Sequence, residues 1–279
     1  MWPPIKGGTP CIFPLNSTMD KKIHILVSND DGIDAQGLYT LARALKRFSR
    51  VSVVAPSIQQ SAVGHAITVR TPLRAHEFRR DGEVFGYAVD GTPADCVKLA
   101  IRSLLKEKPD LVISGINDGL NTAVNVIYSG TVSAATEGTI LGIPAISVSI
   151  EYTDKPDFEP AAKIAAKLAR FVYKNGMPKD TILNVNVPAI PAAKIKGIKF
   201  TRQGRSRWDD KFYQRKDPKN RDYYWLAGDM RVLDRDEDID QVALKAGYVS
   251  ITPIHFDLTH HKFLAEMRDR WDGKLKIKL

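Results

Sequence analysis

Short apolar runs alternate along the chain with longer segments whose apolar residues recur every three or four positions, the periods of buried strands and of amphipathic helices. Residues 23–28 (IHILVS) form one such run and stop at Asn29-Asp30-Asp31-Gly32, which predicts a strand ending at Asn29 and opening into a loop. From Gly37 onward Leu38, Leu41, Ala42, Leu45 and Phe48 share one helical face, and residues 51–56 (VSVVAP) read as a strand with a proline stop. Thr92, Pro93 and Asp95 supply an N-cap, a first-turn proline and an early acid ahead of Val97, Ala100, Ile101, Leu104 and Leu105. That order predicts a helix over about 93–106. A run at 110–115 (DLVISG), a helix capped by Ser129 and ending near Gly142, a run at 144–150, a helix over 160–174 and a run at 181–188 continue the pattern.

Strands and helices alternating at this spacing predict an α/β fold: a three-layer, mainly parallel, Rossmann-like sheet with helices on both faces. After Pro188 the rhythm gives way to a segment carrying Trp208, Phe212, Tyr213, Tyr223, Tyr224 and Trp225, then KAGYVSITPI (245–254) and a closing stretch of helical pattern. This part reads as a C-terminal arm of antiparallel hairpins plus a helix, suited to oligomerisation. The expected organisation is a disordered extension over 1–20, a catalytic α/β unit over 21–190 and the arm over 191–279.

Composition narrows the class. Of 279 residues, 43% are hydrophobic and 26% charged, as in globular proteins, and no apolar run approaches the roughly 18 residues of a spanning helix. Prolines at 3, 4, 10 and 14 and Lys6 break the apolar core that a signal peptide needs. The two cysteines, Cys11 and Cys96, form neither a disulfide framework nor a zinc pattern, so a cytoplasmic location without a membrane partner is expected. The formal charge of +9 is concentrated late: residues 194–221 hold eleven Lys and Arg against Asp209, Asp210 and Asp217, a net +8, before an acidic stretch from Asp229 to Asp240. Such a patch attracts phosphate, polyphosphate or nucleic acid, or is a solvated hairpin paired to its acidic neighbour or to another subunit.

In open parallel sheets ligands bind at the carboxyl ends of the strands, and three loops there carry chemistry. Asp30 and Asp31 leave the first strand side by side and repel unless a cation or hydrogen-bond donors neutralise them. The loop from Pro56 to His65 holds Ser61, and the loop Gly115-Ile116-Asn117-Asp118-Gly119 holds Asn117. Asp30, Asp31, Ser61 and Asn117 are thus candidate oxygen ligands for a hard divalent ion such as Mg or Mn; the alternative for the acidic pair is a turn with a capping carboxylate. Ser129-Gly130-Thr131 opens a helix, where free backbone N–H groups favour a phosphate or serve ordinary capping. His65 is a candidate substrate contact or a hydrogen-bonded structural side chain. No G-x-G-x-x-G follows the first strand, and no P-loop or G-x-S-x-G motif occurs; dinucleotide, P-loop and serine-esterase chemistry are disfavoured.

ILVSNDDGIDAQGL, VAPSIQQSAVGHAIT, DGTPADCVKLA, SGIN and VIYSGTVSAATEG, in this order, resemble the motifs of the SurE family, metal-dependent 5'-nucleotidases, over about residues 23–259. The resemblance implies one divalent metal ion per subunit on Asp30, Asp31, Ser61 and Asn117, with Asp30, Asp31 and Asn117 carrying the catalysis. It also implies phosphate and substrate contacts at Asn29, Gly64, His65, Ser129, Gly130 and Thr131. The activity implied is hydrolysis of nucleoside 5'-monophosphates, with 3'-nucleotides and short polyphosphate as further substrates, in a homodimer or homotetramer that exchanges the C-terminal arm. Nucleic acid is not an implied partner, although a non-catalytic nucleotide or nucleic-acid binding protein remains the alternative that the basic aromatic segment suggests. The chain departs from the family pattern where Ala123, Val124 and Asn125 stand in place of a glycine and two acids.

Overall fold

The computed structural model of the protein describes residues 22–271; the extension expected over 1–20 lies outside the described residues. The elements run in chain order as β1 (His24–Ser28), α1 (Gln36–Lys46), β2 (Arg50–Pro56), β3 (Ala75–Arg80), β4 (Glu83–Val89), α2 (Pro93–Leu99), β5 (Leu111–Asp118), α3 (Gly130–Ile140), β6 (Ala145–Ile150), α4 (Glu159–Asn175) and β7 (Thr181–Val187). They continue with β8 (Ile198–Phe200), β9 (Arg207–Lys216), β10 (Asp222–Arg231), α5 (Asp240–Lys245), β11 (Val249–His255) and α6 (His261–Arg270). Nine strands make one sheet in the order β3-β4-β2-β1-β5-β6-β7-β11-β8, and β9 with β10 forms a separate two-stranded hairpin.

The α/β expectation holds, and the alternation of side chains along the strands explains its layers. Ile25, Val27, Ile113, Ile146 and Val148 face one side, where Leu38, Leu41 and Leu45 of α1 and Ala161, Ala165 and Ala169 of α4 cover them. Leu26, Val112, Ala145 and Ile182 face the other side, under Cys96 and Val97 of α2 and Ala134 and Ala135 of α3. The strand period of two divides one run of apolar residues between two cores. Thr92 caps α2 as expected, its side chain accepting from the Asp95 amide while the Asp95 carboxylate accepts from the Thr92 amide. The predicted helix over 93–106 is α-helical only to Leu99; residues 100–104 form a wider turn that closes with the Leu105 amide on the Ala100 carbonyl at 2.9 Å.

Two features depart from the sequence reading. The segment between β2 and α2 contributes the antiparallel pair β3·β4 to one edge of the sheet. At the other edge β11 pairs antiparallel with β7, and β8 pairs parallel with β11. The chain after Pro188 therefore both finishes the main sheet and projects a hairpin from it. Part of the basic run is paired at home: Arg202 meets Asp236 and Asp238, Arg205 meets Asp234, Lys199 meets Glu237, Lys211 meets Asp229 and Arg221 meets Asp217.

No helix among the described residues is long and apolar enough to cross a membrane. Leu38 is fully buried between α1 and the sheet, so Leu38→Ala is expected to lower stability by about 2–5 kcal/mol. Leu258→Ala, at a side chain 93% exposed, is expected to stay within about 0.5 kcal/mol. Urea denaturation of both variants checks the pair.

Candidate metal centre and substrate cavity

The parallel strands turn outward on either side of β1: the chain goes from β1 to β2 in one direction and returns to place β5 on β1's other flank. A crevice opens at such a reversal, beyond the carboxyl ends of the strands. Val27 pairs with Ile113 and Ser28 with Ser114, and this register brings the loop after β1 beside the end of β5.

Asp30 is buried at 5% exposure, and its carboxylate accepts from the Thr131 hydroxyl in the first turn of α3. The approach needs Gly130, where a Cβ would lie 2.7 Å from the Asp30 Cβ. Burial raises the Asp30 carboxyl above its usual range against the opposing pull of the Thr131 hydroxyl and the Thr131 and Gly130 backbone. Asp31 faces the crevice, its Oδ2 accepting from the Asp118 amide at 3.4 Å. Burial, then the charge of Asp30, pushes Asp31 up to about 6. Asn29, fully buried, donates from Nδ2 to the Gly32 carbonyl at 2.9 Å and so closes the turn that aims both aspartates.

The far side of the crevice is built by β5. Its pairing with β6 shifts between Ser114 and Asn117, because Gly115 adopts φ +133° with its Cα against the Val148 carbonyl, where a Cβ would approach within 2.2 Å. Beyond this bulge Asn117 commits its amide nitrogen to the Gly119 carbonyl at 2.6 Å, so that Oδ1 is its candidate ligand atom. Asp118, raised by burial, has an Oδ1 buried without a hydrogen-bond partner. Ser61 comes from the loop after β2, which is anchored by the Gln60 amide on the Asp30 carbonyl at 2.7 Å; its hydroxyl accepts from Gln59.

These groups line a cavity of 870 Å³ whose walls include Asp30, Asp31, Ser61, Asn117, Asp118 and Ser129. Of the residues expected to touch phosphate or substrate, only Ser129 is on this wall. Thr131 and Gly130 lie behind Asp30 and hold it. Gly64 donates its amide to the Tyr128 carbonyl at 3.1 Å. The His65 ring meets Glu137 at 3.0 Å, two turns along α3 from the aspartates. Burial acts to raise the Glu137 carboxyl, but His65 and Lys98 outweigh it and hold it low.

Sequence reasoning missed several groups at the site. Asp118 stood next to a candidate ligand, and adjacency to Asn117 could have flagged it. Asn125, Trp208 and Asp210 also line the cavity, and no local signal connects the last two with the loops on the sheet. The segment 121–125 is held by a buried polar seam. The Asn121 amide donates to Asn186 Oδ1 at 2.9 Å, and Asn184 donates to the Asn121 carbonyl at 2.8 Å. The carboxylate of fully buried Asp240 receives the Ala123, Gly204 and Gln241 amides. At the three positions that depart from the motif the sequence resembles, Ala123 takes a positive φ of 50° and Val124 and Asn125 line the cavity.

Fold and site together define an α/β protein with an acidic, oxygen-lined cavity at the strand-order reversal of a parallel sheet. A family model described as Survival protein SurE matches residues 25–210. A protein of Chlorobaculum tepidum named 5'-nucleotidase SurE is 47% identical over 262 residues, covering 94% of this chain and 99% of the relative. One of the same name from Moorella thermoacetica is 50% identical over 244 residues, 87% of this chain and 94% of the relative. The crystal structure of the SurE protein from Aquifex aeolicus superposes with a TM-score of 0.77 at 43% identity, covering 88% of this chain and 98% of that one. The chain belongs to the SurE family.

The raised carboxyl of Asp31 has a thermodynamic consequence. Its folded value of about 6 exceeds the unfolded 3.8, so its contribution favours the fold below about pH 4 and is lost as pH rises through 6. In chelator-treated protein at pH 7.5, Asp31→Asn is expected to raise stability by on the order of 1–2 kcal/mol, with the gain shrinking by pH 4.5. Thermal melts at the two pH values check this.

Proposed function

We propose that the protein is a phosphohydrolase that removes phosphate from nucleoside 5'-monophosphates, with one divalent cation per subunit, Mg or Mn, at Asp30, Asp31, Ser61 and Asn117. The observation that carries the reading is the convergence of two adjacent aspartates, with an amide oxygen and a hydroxyl, on one cavity wall. Burial makes the paired negative charges costly in the absence of a cation. The donor set is entirely oxygen, and among the described residues no group of three His, Cys, Asp or Glu offers an alternative; hard ions that engage phosphate suit such a set. The names carried by the relatives from Chlorobaculum tepidum and Moorella thermoacetica support the activity.

Bound there, such an ion supplies charge neutralisation to the phosphoryl oxygens. Thr131 and the start of α3 fix Asp30, and Asn117 holds its amide oxygen toward the crevice through the bond to Gly119. Asp118, on the cavity wall beside Asp31, accepts a hydrogen bond from the attacking water through its carboxylate and orients it. Ser129 donates from the cavity wall to a phosphate oxygen. His65 serves the loop instead, tying the segment that carries Ser61 to Glu137. A non-catalytic nucleic-acid binder is less well supported, since binding alone does not need two adjacent aspartates gathered with an amide oxygen and a hydroxyl on one cavity wall.

The hairpin β9·β10 exposes Phe212, Tyr213, Tyr224 and Trp225 at 55–67%, and a free two-stranded ribbon is marginal in water. Its outer half is therefore assigned to contact with a second copy, in a homodimer or homotetramer. The segment after Pro188 acts in this reading as an arm, and the single described cysteine, Cys96, buried and unbridged, suits the cytoplasm.

With Mn or Mg present, phosphate release from nucleoside 5'-monophosphates is expected, abolished by EDTA. Asp30→Asn is expected to lower kcat by about 100-fold or more with the circular dichroism spectrum retained. Full activity in a metal-loaded Asp30→Asn variant would remove the assignment. Light scattering is expected to give a mass of two or four chains, shifted toward monomer by Trp225→Glu.

A further inference from the structure

The cavity wall joins the acidic cluster of Asp30, Asp31, Asn117 and Asp118 to residues of the hairpin β9·β10, Arg207 and Trp208 among them. A volume of 870 Å³ is far more than a phosphate group fills, so the cavity has room for the rest of a nucleotide.

Register determines which hairpin side chains reach it. Trp208 pairs with Met230, Asp210 with Gly228 and Phe212 with Leu226, so with a side-chain period of two all six lie on one face of the ribbon. Trp208, Asp210, Leu226 and Gly228 of this face are on the cavity wall, together with Arg207 and Ala227. Gly228, at φ +148°, lets the two strands close up: a Cβ there would meet the Asp209 carbonyl oxygen at 2.4 Å. Trp208 is 50% exposed and has no stacked ring among the described residues, whereas Trp225 meets Tyr223 edge-on at 6.5 Å. An indole without a ring partner on the wall of a cavity large enough for a nucleotide is a platform for a flat aromatic ligand. Asn125 and Asp210 stand beside it as hydrogen-bonding groups.

We infer that Trp208 is the nucleobase platform of this cavity, and that stacking on its indole makes the protein prefer purine over pyrimidine 5'-monophosphates. The inference rests on the nucleotidase reading and deepens it. Purines present the larger π-face, so an indole discriminates in their favour without reading each ring atom. Asp210 and Asn125 add an acceptor and an amide for exocyclic amino groups.

The test compares adenosine 5'-monophosphate, cytidine 5'-monophosphate and ribose 5-phosphate, which lacks the base, on the metal-loaded wild type, Trp208→Ala and Trp208→Phe. The wild type is expected to favour the adenine nucleotide over both others in kcat/KM. In Trp208→Ala the ratio of kcat/KM for the adenine nucleotide to that for ribose 5-phosphate is expected to fall about tenfold, chiefly through KM. Trp208→Phe is expected to keep most of the preference. Adenosine, as a competitive inhibitor, is expected to weaken in parallel with KM. A ratio that stays within threefold in Trp208→Ala, or a wild type that hydrolyses ribose 5-phosphate as well as nucleotides, overturns the platform and leaves the phosphohydrolase standing. A wild type that releases phosphate from none of the three overturns both.

Discussion

Two carboxylates side by side at the end of a buried strand are the constraint around which this molecule is arranged. Left alone in a low-dielectric crevice Asp30 and Asp31 repel, and the fold answers them differently. Asp30 is drawn inward to the first turn of α3 and the Thr131 hydroxyl; Asp31 is turned outward, where burial and its neighbour lift its carboxyl to about 6. Gly130 is needed because the helix must come close enough to receive Asp30. Asn29 is needed because the turn must present one acid to each side.

The rest of the sheet is organised to bring oxygen atoms to the outward acid. Adjacent parallel strands in register carry the ends of β1 and β5 to the same level, and the bulge at Gly115 re-aims the end of β5 so that Asn117 and Asp118 face the crevice. Behind them the buried amides of Asn121, Asn184 and Asn186 and the Asp240 carboxylate hold the segment 121–125 by satisfied hydrogen bonds. Satisfied buried polar groups of this kind restrict a loop to one conformation, which rigid placement of cavity-lining residues requires.

The hairpin completes the cavity from a distance. Its strands pair only with each other, yet Arg207, Trp208, Asp210, Leu226, Ala227 and Gly228 line the cavity that the aspartates line. Phe212, Tyr213, Tyr224 and Trp225, elsewhere on the same ribbon, stay exposed.

The amino-acid order alone was sufficient for the α/β alternation, the capping of α2 by Thr92, the helix faces of α1 and α4, and the oxygen-bearing loops at Asp30, Asp31, Ser61 and Asn117, because each is a property of neighbours within a few residues. It also carried Asp118, unread beside Asn117. Tertiary structure decided what depends on chain reversal and register: that the Thr131 hydroxyl is given to Asp30, that His65 is bound to Glu137, that β8 and β11 finish the sheet, and that Trp208 and Asp210 reach the cavity wall that holds the aspartates. The bonded pairs among these join residues 51 to 101 positions apart in the chain, and no local period records them; they are set by which strand lies beside which and by which face of each strand is turned inward.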